Sequence, residues 1–205
     1  MKLFNSMGPN PRLVRMFLAE KELEIPFQEI DIMGGENRKS PYTDKNPLGQ
    51  LPALELDDGS VIAETVAICE YIEEVHPSPA VIGANPAERA ETRMWTRRVE
   101  LNVTEPMGAG FRYSDGMAMF KDRIRVIPEA ADGLKAQAQD GMARLNSMLE
   151  GKEFLTGSRF TLADIVLFSF LDFGKMIGQP VDSKNELLQA WMDRVAARPS
   201  AESSQ

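Results

Sequence analysis

A chain of 205 residues can bury a sizeable core as one large domain or two small ones. With 43% hydrophobic and 26% charged residues it reads as globular, and no apolar run approaches the roughly 20 residues that span a bilayer. A formal charge of -8 repels polyanions such as nucleic acid, and a single cysteine with a single histidine excludes an internal disulfide and argues against a zinc site.

The N-terminus turns polar at Asn5, before an apolar core forms, so no signal peptide is read and a cytoplasmic location is expected. Lys2 to Asn5 is a short strand. Ser6 to Pro11 is a turn in which Asn10 and Pro11 suit the N-cap and first position of a helix whose apolar face is Leu13, Val14, Phe17 and Leu18. A second strand follows from Phe27 to Ile32, ended by Gly34-Gly35. Strand, helix, strand forms one crossover unit, which requires the two strands to run parallel. Ala53 to Leu56 and Ser60 to Ile62 flank Asp57-Asp58-Gly59, a hairpin signal because glycine accepts the positive φ of the turn. A helix over Glu64 to Val75 places Ile68, Cys69, Ile72 and Val75 on one face.

His76-Pro77-Ser78-Pro79 cannot continue a helix, and residues 77–85 read as a linker between a domain at 1–76 and another at 86–205. Beyond the linker, Pro86 to about Met107, Pro128 to Glu150, Thr161 to Phe173 and Asn185 to Ala197 all read as helices, so the second domain is expected to be all-α. Gly108, Gly110 and Gly116 predict a bend or loop over Met107 to Met119. Thr161 to Asp164 has capping-box spacing, Phe160 and Ile165 fit a hydrophobic staple, and Asp164 is assigned to structure. Cys69 reads as a small core hydrophobe.

Three stretches in this order carry a resemblance: Asn46-Pro47-Leu48-Gly49-Gln50-Leu51-Pro52-Ala53-Leu54, Ile62-Ala63-Glu64-Thr65 opening a helix, and Phe160-Thr161-Leu162-Ala163-Asp164. With their spacing, the chain resembles the cytosolic glutathione S-transferase family over nearly its whole length. The resemblance implies an α/β thioredoxin-like N-terminal domain that binds glutathione and an all-α helical C-terminal domain. It also implies a cis peptide bond before Pro52, which would free the Leu51 main chain to pair with the tripeptide as an added strand. Glu64 and Thr65 would meet the γ-glutamyl end, with Gln50 adding a side-chain contact and Pro9 standing beside the site. Arg38 and Lys39 are the candidates for the glycyl carboxylate.

The chemistry implied is stabilisation of the glutathione thiolate, the form that attacks an electrophile. The turn after the first strand contains neither tyrosine nor cysteine, which disfavours an enzyme-cysteine route. Ser6 is its only hydroxyl, while Asn10 can bring an amide to the helix mouth. A Pro-Asn pair there resembles a bacterial class with disulfide-bond reductase activity. The stretches Gly8-Pro9-Asn10-Pro11-Arg12 and Phe111-Arg112-Tyr113 resemble an atypical bacterial and fungal class that lacks the usual catalytic hydroxyl. Some members of that class have histidine where Tyr113 stands, and Tyr113 is the candidate catalytic residue of the second domain. Met107, Phe111, Met117 and Phe120 are expected to wall the pocket for the second substrate.

The function so implied is conjugation of glutathione, as co-substrate, to small hydrophobic electrophiles, in the sense of detoxification, by a homodimer that needs no metal and engages neither nucleic acid nor membrane. Two readings stand beside it. One is a glutathione-dependent disulfide or peroxide reductase, and the other is a non-catalytic ligand-binding protein on the same fold.

Overall fold

The computed structural model describes residues 1–205, which divide into two compact units: Met1–Ala84 with Pro199–Gln205, and Asn85–Arg198. The segments 77–84 and 199–205 thus pack with the first unit, whereas the sequence reading set the former apart as linker and placed the latter in the helical domain.

In the first unit β1 (Lys2–Asn5), β2 (Phe27–Glu29), β3 (Ala53–Glu55) and β4 (Val61–Ala63) form one sheet in the order β2-β1-β3-β4. β1 and β2 pair in parallel, as a crossover through α1 (Pro9–Glu20) demands, and β3 pairs antiparallel with both β1 and β4. The β3–β4 hairpin turns at Gly59, whose φ of +86° is open to glycine at no steric cost. β2 stops at Glu29 instead of reaching Ile32. The Asp31 carboxylate accepts the Gly34 N–H at 2.8 Å and the Asp31 N–H turns to Glu36 at 2.7 Å, so a side-chain-bonded turn replaces the ladder. A 3₁₀ turn at Glu36–Arg38 and the single-turn α2 (Tyr42–Lys45) occupy the connection to β3.

α1 buries Leu13, Val14, Met16, Phe17 and Leu18. α3 (Thr65–Val75) buries Ile68, Cys69 and Ile72, while Val75 in its last turn is exposed. At the end of α1, Lys21 reaches Glu73 of α3 at 2.8 Å, and neither side chain meets solvent. The Lys21 ammonium also donates to the Pro79 carbonyl, and the Glu73 carboxylate accepts the N–H groups of Val81, Ile82 and Gly83. This buried ion pair fixes the segment after the double proline to both helices. α10 (Pro199–Ser203) lies on α1. Arg12 donates to the Ala201 carbonyl at 3.2 Å, Arg15 to the Ser204 carbonyl through Nε and Nη2 at 3.0 and 2.9 Å, and the Ser200 hydroxyl to Glu20.

The second unit is helical: α4 (Pro86–Val99), α5 (Glu105–Arg112), α6 (Met117–Phe120), α7 (Ala131–Met148), α8 (Leu162–Met176) and α9 (Glu186–Ala196). A π turn at Glu100–Thr104 joins α4 to α5, so helix runs on to Arg112 and the expected loop at 107–119 shrinks to residues 113–116. Of the glycines expected to break the helix, Gly108 and Gly110 lie within it and Gly116 stands in the remaining break. A Cβ on Gly110 would stand 2.8 Å from the Lys135 side chain, and one on Gly116 would meet the Phe111 ring at 2.6 Å. The π turn lies just before Pro106, which has no N–H to give the Asn102 carbonyl four residues back. That carbonyl faces Gly141 of α7, where an added Cβ would stand 2.0 Å from the oxygen.

α8 is the buried helix of this unit, with ten of its residues out of solvent. Asp164 sits at its N-terminus in a capping box with Thr161. The carboxylate accepts the Thr161 N–H at 3.0 Å, the Leu155 N–H at 3.0 Å and the Trp191 indole N–H at 3.0 Å. Burial pushes its pKa up to about 6 against these hydrogen bonds, which pull it down. Every contact it makes is structural, and no helix of the chain is long and apolar enough to cross a membrane.

Candidate functional site

The first unit carries an open cleft lined by Asn10, Asn46, Gln50, Leu51, Pro52, Glu64 and Thr65. Four parts of the chain converge there: the start of α1, the residue after α2, the turn into β3, and the start of α3.

α3 contributes a helix N-terminus whose first three N–H groups, on Thr65, Val66 and Ala67, have no acceptor within the helix. Such a helix mouth attracts an anion, and the Thr65 hydroxyl stands beside it. Glu64 holds the N-cap position at φ +69°, a conformation that costs a non-glycine residue about 1–3 kcal/mol and that clusters at ligand sites. An anion receiver and a carboxylate are thus adjacent, the pair of groups that a zwitterionic amino-acid end requires.

α1 differs from the sequence expectation. Its N-cap is Gly8 at φ +110°, Pro9 takes the first helical position, and Asn10 is the second residue of the helix, not its cap. Glycine supplies a φ that asparagine resists, and proline at the first position has the φ the helix needs. The consequence is chemical. Pro9 and Pro11 have no N–H, and the Arg12 N–H is bonded to the Gly8 carbonyl at 3.2 Å. The only open backbone donor of the first turn is therefore that of Asn10, a residue that lines the cleft.

The turn into β3 is held from behind. The carbonyls of Leu48, Gly49 and Gln50 each accept from a side chain of the preceding segment. Arg38 donates to Leu48 at 2.8 Å, Asn37 to Gly49 at 2.6 Å, and both Asn46, at 2.9 Å, and the Tyr42 hydroxyl to Gln50. Burial pushes the Tyr42 pKa up to about 12, so its hydroxyl remains a donor at neutral pH. The peptide bond between Leu51 and Pro52 is cis, as the resemblance implied. Leu51 lies before the β3 ladder, and its main-chain N–H and C=O make no hydrogen bond within the chain.

Other expected residues lie elsewhere. Ser6 is buried and its hydroxyl donates to the Ile30 carbonyl at 2.9 Å, tying β1 to the end of β2. Pro9 begins α1 without lining the cleft, Arg38 braces the Leu48 carbonyl, and Lys39 is exposed with its N–H bonded to Glu36. In the second unit Tyr113 is half-buried at the C-terminal end of α5, with its N–H on the Ala109 carbonyl. Phe111 packs edge-on against Phe120 at 6.3 Å and Phe173 at 5.5 Å, and Met117 opens α6. Met107 stands apart. It is wholly buried against Gly174 of α8, which makes it core and removes it from any open wall.

Asn46 and Tyr42 are not among the site residues that the sequence predicts. Asn46 opens the quoted motif and was legible there; Tyr42 acts through a backbone oxygen eight residues away and left no pattern.

Two family models match the chain, the glutathione S-transferase N-terminal domain over residues 7–75 and its C-terminal domain over residues 121–199. Glutathione S-transferase 2 of Saccharomyces cerevisiae is 33% identical over 198 residues, covering 94% of this chain and 84% of that protein. The crystal structure of Gtt2 from the same yeast superposes with a TM-score of 0.93 at 31% identity, covering 100% of both chains. That of a glutathione S-transferase domain-containing protein from Marinobacter aquaeolei VT8 gives 0.91 at 40% identity, covering 98% of this chain and 99% of the other. The chain belongs to the glutathione S-transferase family of enzymes.

Proposed function

We propose that the cleft binds glutathione and that the protein activates it as a thiolate for attack on small hydrophobic electrophiles. The observation that supports this best is the meeting, in one cleft, of an open helix N-terminus at Thr65, a carboxylate at Glu64, a main chain without partners at Leu51 and the Asn10 amide. The γ-glutamyl carboxylate is received by the α3 N-terminus and the Thr65 hydroxyl, its ammonium by Glu64, and the peptide by Leu51. Gln50 adds a polar side chain, and Arg38 or Lys39 meets the glycyl carboxylate. Asn10, with its N–H and its amide, faces the sulfur. For the electrophile, the second unit offers Phe111, Met117, Phe120 and Tyr113.

The same reading includes a cytoplasmic, detoxifying homodimer. Two-fold pairing is the commonest closed symmetry, and a monomer by sedimentation at micromolar protein would remove that part.

Thr65→Val deletes a hydroxyl bonded to a carboxylate, which is worth about 1.5–3 kcal/mol, or roughly ten- to a hundredfold in glutathione affinity by calorimetry. Unchanged affinity in a folded variant removes the site. Turnover of an aryl halide, a hydroperoxide and a small disulfide with glutathione separates conjugation from reduction. Binding without turnover of any of them would favour a ligand carrier.

A further inference from the structure

We infer that Tyr42, together with Asn46, is a positioning residue for glutathione: by holding the Gln50 carbonyl these side chains aim the Leu51 N–H at the bound peptide. The inference rests on the proposed glutathione site and adds to it residues that act through the backbone.

In a trans peptide the C=O of one residue and the N–H of the next lie in one plane and point in opposite directions. The Gln50 carbonyl is bonded by both the Tyr42 hydroxyl and the Asn46 amide, so the Leu51 N–H is directed away from α2. The planes before it are fixed in the same manner, Gly49 by Asn37 and Leu48 by Arg38. All four side chains come from the segment between β2 and β3, and all act on three consecutive carbonyls. Their effect is to leave Leu51 presented and unpaired at the cleft.

The Tyr42 ring is anchored independently of its hydroxyl. It is buried with Phe4, Ile30, Leu51 and Ala53, and stands edge-on to Phe4 with centroids 5.5 Å apart. Tyr42→Phe therefore keeps the packing and deletes one of the two donors to Gln50. Asn46→Ala deletes the other from outside that core.

The test compares glutathione with two analogues in which one or the other amide is replaced by a trans-alkene, measured by calorimetry. The wild-type protein should bind at least one analogue about tenfold more weakly than glutathione, because the Leu51 N–H loses its acceptor. Tyr42→Phe and Asn46→Ala should each weaken glutathione roughly three- to tenfold while leaving that analogue within about twofold of its wild-type affinity. Equal weakening of glutathione and the analogue would mark a general structural loss and overturn the inference, as would no weakening of either. If the wild-type protein binds both analogues as tightly as glutathione, the main-chain contact is itself absent, and the inference falls with it.

Discussion

The Lys21 ammonium and the Glu73 carboxylate lie 2.8 Å apart with neither side chain open to solvent. A charge left there alone would be uncompensated, so removing one partner costs more than the pair contributes. Lys21→Met should lower the unfolding free energy by about 3–5 kcal/mol in chemical denaturation. A loss below about 1 kcal/mol would show that the pair is not what holds residues 79–83 against the two helices.

Burial of Asp164 predicts a pH dependence of stability. Its folded pKa of about 6 lies above the roughly 3.9 of an unfolded aspartate, so the folded state holds the proton more tightly. Its contribution to stability is present below about pH 4 and is lost as pH rises toward 6, by an amount of order 3 kcal/mol. Stability of the wild type relative to Asp164→Asn should fall across that window and level off above it. Parallel curves from pH 4 to 7 would contradict the shift.

Gly141 and Gly133 share α7 and should respond oppositely to alanine. At Gly141 the new Cβ would stand 2.0 Å from the Asn102 carbonyl oxygen, whereas at Gly133 nothing lies within 4 Å. Gly141→Ala should cost at least about 1–3 kcal/mol through overpacking against a rigid π turn. Gly133→Ala should stabilise by up to about 1 kcal/mol through helix propensity. Paired melting curves decide the matter, and a harmless Gly141→Ala would mean that α7 and the π turn do not approach so closely.

Ser6 and Asn10 separate two ways of stabilising a thiolate. The Ser6 hydroxyl is engaged with the Ile30 carbonyl, so Ser6→Ala should cost about 0.5–1.5 kcal/mol of stability and leave the thiol pKa of bound glutathione in place. Asn10→Ala should raise that pKa, read from thiolate absorbance against pH, without the loss of a cap, since Gly8 occupies the cap position. A rise of a unit or more with Ser6→Ala alone would assign the role to the serine. If neither variant moves the pKa, Tyr113→Phe is the next to titrate.

The contrast between the two helix starts shows what a sequence reader can see. Thr161 with Asp164 announces a capping box because both groups are side chains at a fixed interval, and the structure has it. Gly8-Pro9-Asn10-Pro11 offers two start signals in four residues, and only the strain-free φ of glycine decides for the earlier one. The short strand before the turn at Ser6 and the Asp58-Gly59 turn made the sheet legible, while Asp31 and Glu36 ended β2 early through bonds no periodicity reveals. Glycines read as helix breakers at 108 and 110 proved to be places where another helix or an arginine comes close, a matter of tertiary packing. For the cleft, residues acting through their side chains could be named. Tyr42, which acts on a backbone oxygen eight residues away, could not.

α10 closes on α1 across a sequence separation of 189 residues, with all of Asn85–Arg198 in between. Ordering so long an intervening stretch carries an entropic penalty that must be met before Arg12 and Arg15 find their carbonyl partners. Helix α1, which opens the cleft, is made before the whole of Asn85–Arg198, yet one of its flanks stays uncovered until residues 199–204 follow. The first unit is thus completed only after the helical unit that interrupts it has been made.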